Sequence, residues 1–200
     1  MIIFNFYYSS KHEIQYIEYV RNKISWYQKM GYYPNLPEGI NSQSSKSHII
    51  KIVNGDYEEN IESYKKIRQK IKRELKEKNK ELNSFFNNLD YSIPKKIFVY
   101  FTLYGPGGSY LPPKKIIIRF NKGFLAKNLL RKIIHETIHL IIEKPVIQKY
   151  NISHREKENI VNSFFNYPIL KNIFPEYKFP ANYSFPTDKI KLIKFKKIPS

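Results

Sequence analysis

Apolar positions along the chain change their period several times, and each change marks an element. Ile2 to Tyr8 is a short β-branched and aromatic run that predicts a strand. Ser10 with Glu13 has the pattern of a capping box, and Ile14, Ile17, Val20, Ile24 and Tyr27 then recur at helical spacing, which predicts one helix from Ser10 to about Met30. Gly31 to Ser47 is rich in Gly, Pro, Asn and Ser and reads as a loop or a pair of turns. From about Tyr57 to Phe86, Ile61, Tyr64, Ile67, Ile71, Leu75, Leu82 and Phe85 predict a long amphipathic helix. Its single apolar stripe suits a helix lying across a domain better than a coiled-coil arm.

Lys96 to Tyr104 and Lys115 to Phe120 read as strands separated by an irregular loop from Gly105 to Pro113. Phe124 to Glu143 predicts a helix stopped by Pro145, and Ser153 opens another that lasts to about Asn166. From Pro168 the tail alternates Pro with aromatics, turns Lys-rich, and is expected to wrap over the core without much regular structure. The sum is an α+β fold in a single domain over residues 1–200. A mainly helical part with one strand reaches to about residue 90, and a second part starts near residue 95.

Composition sharpens this picture in three ways. The chain has 200 residues, 42% hydrophobic and 16% aromatic, enough to bury a core, which excludes a disordered tail or a disulfide scaffold. Cys is absent, so any metal site must use His and carboxylates. The first residues lack a basic leader and a small-residue cleavage site, and no apolar stretch approaches the ~20 residues of a membrane helix, so a soluble cytoplasmic protein with no membrane partner is expected, with a monomer as its oligomeric state. The formal charge of +18 invites a polyanion, but only six of the 35 basic residues are Arg, the side chain suited to bidentate phosphate contacts. Lys, Ile, Asn, Tyr and Phe are abundant together, as A/T-rich coding gives whatever the function, so nucleic acid is not the expected partner.

The chemistry concentrates in His135-Glu136-Thr137-Ile138-His139, inside a predicted helix. Residues four apart lie on one helix face, so His135 and His139 can direct two imidazoles at one ion, and neutral nitrogens favour Zn2+. Glu136 then projects to where an activated water would sit and can serve as general base. A third protein ligand is needed, and Glu143, His154, Glu156 and Glu158 are the candidates downstream. Glu143 points along its own helix, and Ser153 with Glu156 forms a capping box that occupies Glu156. Glu158 lies one turn inside the second helix, with 18 residues between it and His139, and is the expected ligand. Asn162, on the same face, either accepts the second ring N–H of an imidazole or is an ordinary solvated amide. His12 and His48 have no ligand spacing and read as surface residues, and Gly105 to Gly108 lacks the Lys and helix of a phosphate cradle.

H-E-x-x-H followed by Glu on a second helix resembles the gluzincin zinc metallopeptidases, and the short chain is similar to their minimal members, the minigluzincins. The resemblance covers roughly residues 95 to 166. It implies a zincin-like fold, hydrolysis of a peptide or protein substrate, and an antiparallel edge strand that hydrogen-bonds the extended substrate. Gly108, Ser109 and Tyr110 fall where that edge would be. It also implies a Tyr or His for the oxyanion, for which Tyr167, Tyr177, Tyr183 and His154 are candidates. The thermolysin-like pattern has Asp where this chain has Asn162. Two alternatives stand beside this: a SprT-like protease acting at DNA with His154 as third ligand, although Arg155-Glu156-Lys157 lacks that family's Gly and aromatic, and a catalytically inactive zincin-fold binding protein.

Overall fold

A computed structural model describes residues 2–41, 43–121, 123–179 and 188–196. The fold is α+β, with a four-stranded mixed sheet and a predominance of helix. Strand β1 (Ile3–Tyr7) is followed by helices α1 (Ser10–Arg21), α2 (Ile24–Lys29), α3 (Lys46–Glu77) and α4 (Asn79–Asn88). Then come β2 (Lys96–Thr102), β3 (Gly108–Leu111), β4 (Lys115–Arg119), α5 (Ala126–Ile142), α6 (His154–Ser163) and α7 (Pro168–Ile173). The strand order is β1-β2-β4-β3, with β1, β2 and β4 parallel and β3 antiparallel on the edge.

Alternation in the strands divides the core between the two faces of the sheet. Ile97, Val99, Phe101, Ile116 and Ile118 pack against Ile67 and Ile71 of α3 and Leu129 and Ile133 of α5. Ile117 on the other face meets Tyr16, Val20 and Tyr27 of α1 and α2. The far side of α5, through Leu130, Ile134 and Ile138, joins Ile160 and Val161 of α6 and Phe85 of α4 in a second apolar cluster. The helix carrying the motif is therefore the central layer of the molecule. No helix among the described residues is long and apolar enough to cross a membrane.

Several boundaries differ from expectation, each for a packing reason. Ser9 rather than Ser10 caps α1, so Glu13 moves past the capping position and turns inward, where it accepts hydrogen bonds from Thr102 Oγ1 (2.6 Å) and Leu103 N (3.0 Å). The expected single helix breaks at Asn22 and Lys23, which lets Tyr27 turn into the core beside Tyr16 and Val20. The long helix starts at Lys46, capped by Ser45, because Ile49 and Val53 extend its apolar stripe, and it is interrupted at Lys78, which leaves helical geometry. Gly55 is tolerated within it on an open face. Pro145 does not stop the winding: the chain continues from Glu143 to Gln148 as a π turn, whose hydrogen bonds span five residues and leave room for a residue without N–H. His12 is buried against the Tyr100 ring at 4.2 Å, whereas His48 is exposed. The tail contains α7 and a 3-10 turn over Lys189–Leu192, and Phe195 forms a bridge to Leu89.

The loop between β2 and β3, which sets the sheet edge, is tied down by backbone contacts. Asn35 and Gly105 exchange N–H to O bonds of 3.0 and 2.7 Å, and Arg119 Nη1 donates to Gly105 O. Gly105 has φ +84, and a Cβ there would collide with the Tyr16 ring, so only Gly fits.

Candidate metal centre

Because α5 is packed on both sides, the polar groups that it buries require partners. Helical spacing puts His135 and His139 on one face. The capping box predicted at Ser153 is present, with Ser153 N donating to Glu156 Oε2 and Glu156 N to Ser153 Oγ, and it starts α6 where Glu158 is carried back toward the imidazoles.

The three side chains form a triangle. His139 Nε2 lies 3.1 Å from His135 Nε2, His135 Nε2 3.3 Å from Glu158 Oε2, and His139 Nε2 3.2 Å from Glu158 Oε1. Donors around a tetrahedral ion with bonds of about 2.0–2.2 Å are about 3.3–3.6 Å apart, so the triangle, with edges of 3.1–3.3 Å, is close to one face of such a shell. Two nitrogens and a carboxylate oxygen also match the preference of zinc, and this is the one group of three such donors among the described residues.

Electrostatics favours the same use. Burial lowers the pKa of His139 to about 4, which keeps the imidazole neutral, as a ligand must be. Burial alone would raise the pKa of Glu158, but the facing His139 and His135 outweigh it and hold the carboxyl well below its usual range. Glu136 is buried beside this group, and burial pushes its pKa up to about 7 against the lowering influence of His135. A base poised near neutrality is suited to accepting a proton there.

The other third-ligand candidates are occupied elsewhere. His154 Nε2 pairs with Tyr32 Oη at 2.8 Å, and Glu143 accepts from Tyr110 Oη (2.5 Å) and Gln148. Glu156 serves the cap. Asn162 is buried, but neither imidazole bonds to it; its Oδ1 accepts from Tyr177 Oη at 2.9 Å. Tyr177 lines the same recess as His135 and Glu136, whereas Tyr167 packs on Phe164 and Phe195, and Tyr183 lies outside the described residues.

Gly108, Ser109 and Tyr110 do form a strand on the sheet edge, but their side chains play different parts. A Cβ on Gly108 would strike the Glu136 carboxylate, so the absence of a side chain lets the carboxylate sit against the strand. Ser109 Oγ pairs with Tyr16 Oη. The Tyr110 ring stacks on His139, with centroids 4.8 Å apart and planes 7° from parallel, and Lys157 Nζ donates to its hydroxyl. This clamp on His139 has no signal in the sequence, because it joins residues 29 positions apart on different elements. Arg131 and Lys132, four residues before His135 and Glu136, were findable by helical spacing; they line the recess on the Gly108 side of Glu136. The recess on the Tyr110 side is walled by Tyr19, Trp26, Tyr27 and Tyr32.

No protein-family model, curated protein or solved structure matches this chain.

Proposed function

We propose that the chain is a zinc-dependent peptidase with a zincin-like fold, of the gluzincin type that its H-E-x-x-H and downstream Glu resemble. The observation that carries this reading is the triangle of His135, His139 and Glu158 donor atoms, with Glu136 buried between it and a strand edge that no described residue pairs with. His135, His139 and Glu158 would hold the ion. Zinc supplies Lewis-acid polarisation of a scissile carbonyl and lowers the pKa of a water toward neutrality.

The chain's own residues supply the rest. Arg119 N donates to Gly107 O, so by antiparallel alternation the N–H and C=O groups of Gly108 and Tyr110 face away from β4. An extended peptide can pair with them as an added strand, which brings a scissile bond past Glu136. Glu136 takes a proton from the attacking water and passes it to the leaving amine nitrogen as the C–N bond breaks. Tyr177, whose single O–H donates to Asn162 Oδ1 in the resting arrangement, is the phenol in the recess that can turn that hydrogen to the oxyanion.

The reading is tested by incubating the zinc-loaded protein with a peptide library and sequencing the products. Cleavage is expected, and Glu136→Gln should lower its rate by about 10²- to 10⁴-fold while retaining zinc. Cleavage that survives Glu136→Gln, or that needs no metal, contradicts it.

A further inference from the structure

The recess on the Gly108 side of Glu136 is basic in a way that the hydrolytic chemistry does not need. Arg131 and Lys132 stand four residues, about 6 Å along the axis, before His135 and Glu136 on the same faces of α5. Both are half-buried, and among the described residues no carboxylate lies within ion-pair distance of either. Each rests instead on an aromatic face, Arg131 on Tyr177 at 5.1 Å and Lys132 on Phe124 at 4.7 Å. Besides Glu136, the acid lining this recess is Glu176, and Lys127 pairs with it at 2.9 Å. Glu176 attracts Arg131 and Glu136 attracts Lys132 from beyond ion-pair distance, but with Lys178 also in the lining the cations of this recess outnumber its carboxylates, and a ring quadrupole offsets a partly desolvated cation only in part.

We propose that Arg131 and Lys132 form a carboxylate-binding subsite, so that the enzyme selects peptides with a carboxylate close to the bond it cuts. This deepens the peptidase reading and rests on it. The carboxylate has two possible sources, an Asp or Glu side chain or the C-terminus of the peptide. The strongly positive chain, at +18, would also gather acidic substrates at long range.

The test measures binding of short peptide pools to zinc-loaded Glu136→Gln protein. One pool fixes an internal Glu and has an amidated C-terminus, a second replaces the Glu by Gln and leaves the C-terminus free, and a third has Gln and an amide. The subsite predicts that the first or the second pool binds about tenfold more tightly than the third, and which of the two does so identifies the source. That gain should fall to about twofold or less when Arg131→Gln and Lys132→Gln are added; Lys132→Gln alone, which should reduce it in part, serves if the double variant does not fold. Equal binding of the three pools overturns the subsite, as does a preference that survives loss of both cations, which would place the carboxylate on the metal. The two readings fail separately. Wild-type protein that cleaves without acidic preference removes the subsite alone, and protein that binds the acidic pool with the expected preference yet cleaves nothing removes the peptidase alone.

Discussion

The imidazole of His139 lies flat against the ring of Tyr110, 4.8 Å between centroids and 7° from parallel. Its Nδ1 is buried without a hydrogen-bond partner among the described residues, where ring stacking, and not a second-nitrogen acceptor, fixes the plane of this candidate ligand. Glu143 and Lys157 in turn hold the Tyr110 hydroxyl. Tyr110→Leu should therefore weaken zinc binding by about tenfold, within the range of losses from removing a group that orients a ligand. Tyr110→Phe keeps the stack and should lose far less. Competitive chelator titration of the three proteins measures this, and equal losses in both variants would show that the hydroxyl network carries the effect.

Gly108 and Glu136 are in similarly close contact. A methyl group on Gly108 must displace either the carboxylate or the strand edge. Gly108→Ala should reduce peptide cleavage by at least about tenfold while leaving zinc content at the wild-type level, because the proposed ligands lie on α5 and α6. Loss of zinc along with activity would show that the strand supports the triangle as well.

Glu13 provides a pH dependence remote from the candidate metal centre. It is buried, and desolvation raises its pKa to about 7 despite hydrogen bonds from Thr102 and Leu103. The folded protein thus keeps a proton that the unfolded chain releases near pH 4.5. The resulting stability is complete below that pH and is lost as pH rises to about 7. Glu13→Gln keeps an acceptor for Leu103 N and cannot ionise, so its stability relative to wild type should increase over that interval, by on the order of 3 kcal/mol. Urea denaturation at a series of pH values measures the difference, and parallel curves for the two proteins contradict it.

Tyr177 and Asn162 make a separable prediction. Tyr177→Phe removes the hydroxyl while keeping the ring under Arg131 and against Phe165. It should lower kcat by about tenfold to a thousandfold with little change in KM, as expected of a donor that acts in the transition state. A change confined to KM would assign Tyr177 to substrate binding.

How much of this was legible in the sequence follows from the range of the interactions involved. The triangle is built from local signals: spacing of four on α5, the Ser153 capping box, and a Glu one turn beyond it. Helical periodicity fixes such positions before any tertiary contact is known. The break at Asn22 and Lys23, the early start of α3 and the inward turn of Glu13 depend on which face meets the sheet. Helical spacing puts Asn162 one turn beyond Glu158 on α6, but its partner is Tyr177 from beyond α7 and not an imidazole. The missing N–H of Pro145 predicts a helix stop, whereas a π turn accommodates it.

The central claim is that one divalent ion is held by two helices through His135, His139 and Glu158. Elemental analysis after dialysis against trace zinc tests it most directly, on wild type, Glu158→Ala and His154→Ala. The account predicts about one zinc per chain in wild type and in His154→Ala, and a loss of most of it in Glu158→Ala. Full zinc content in Glu158→Ala, or loss only in His154→Ala, would contradict it.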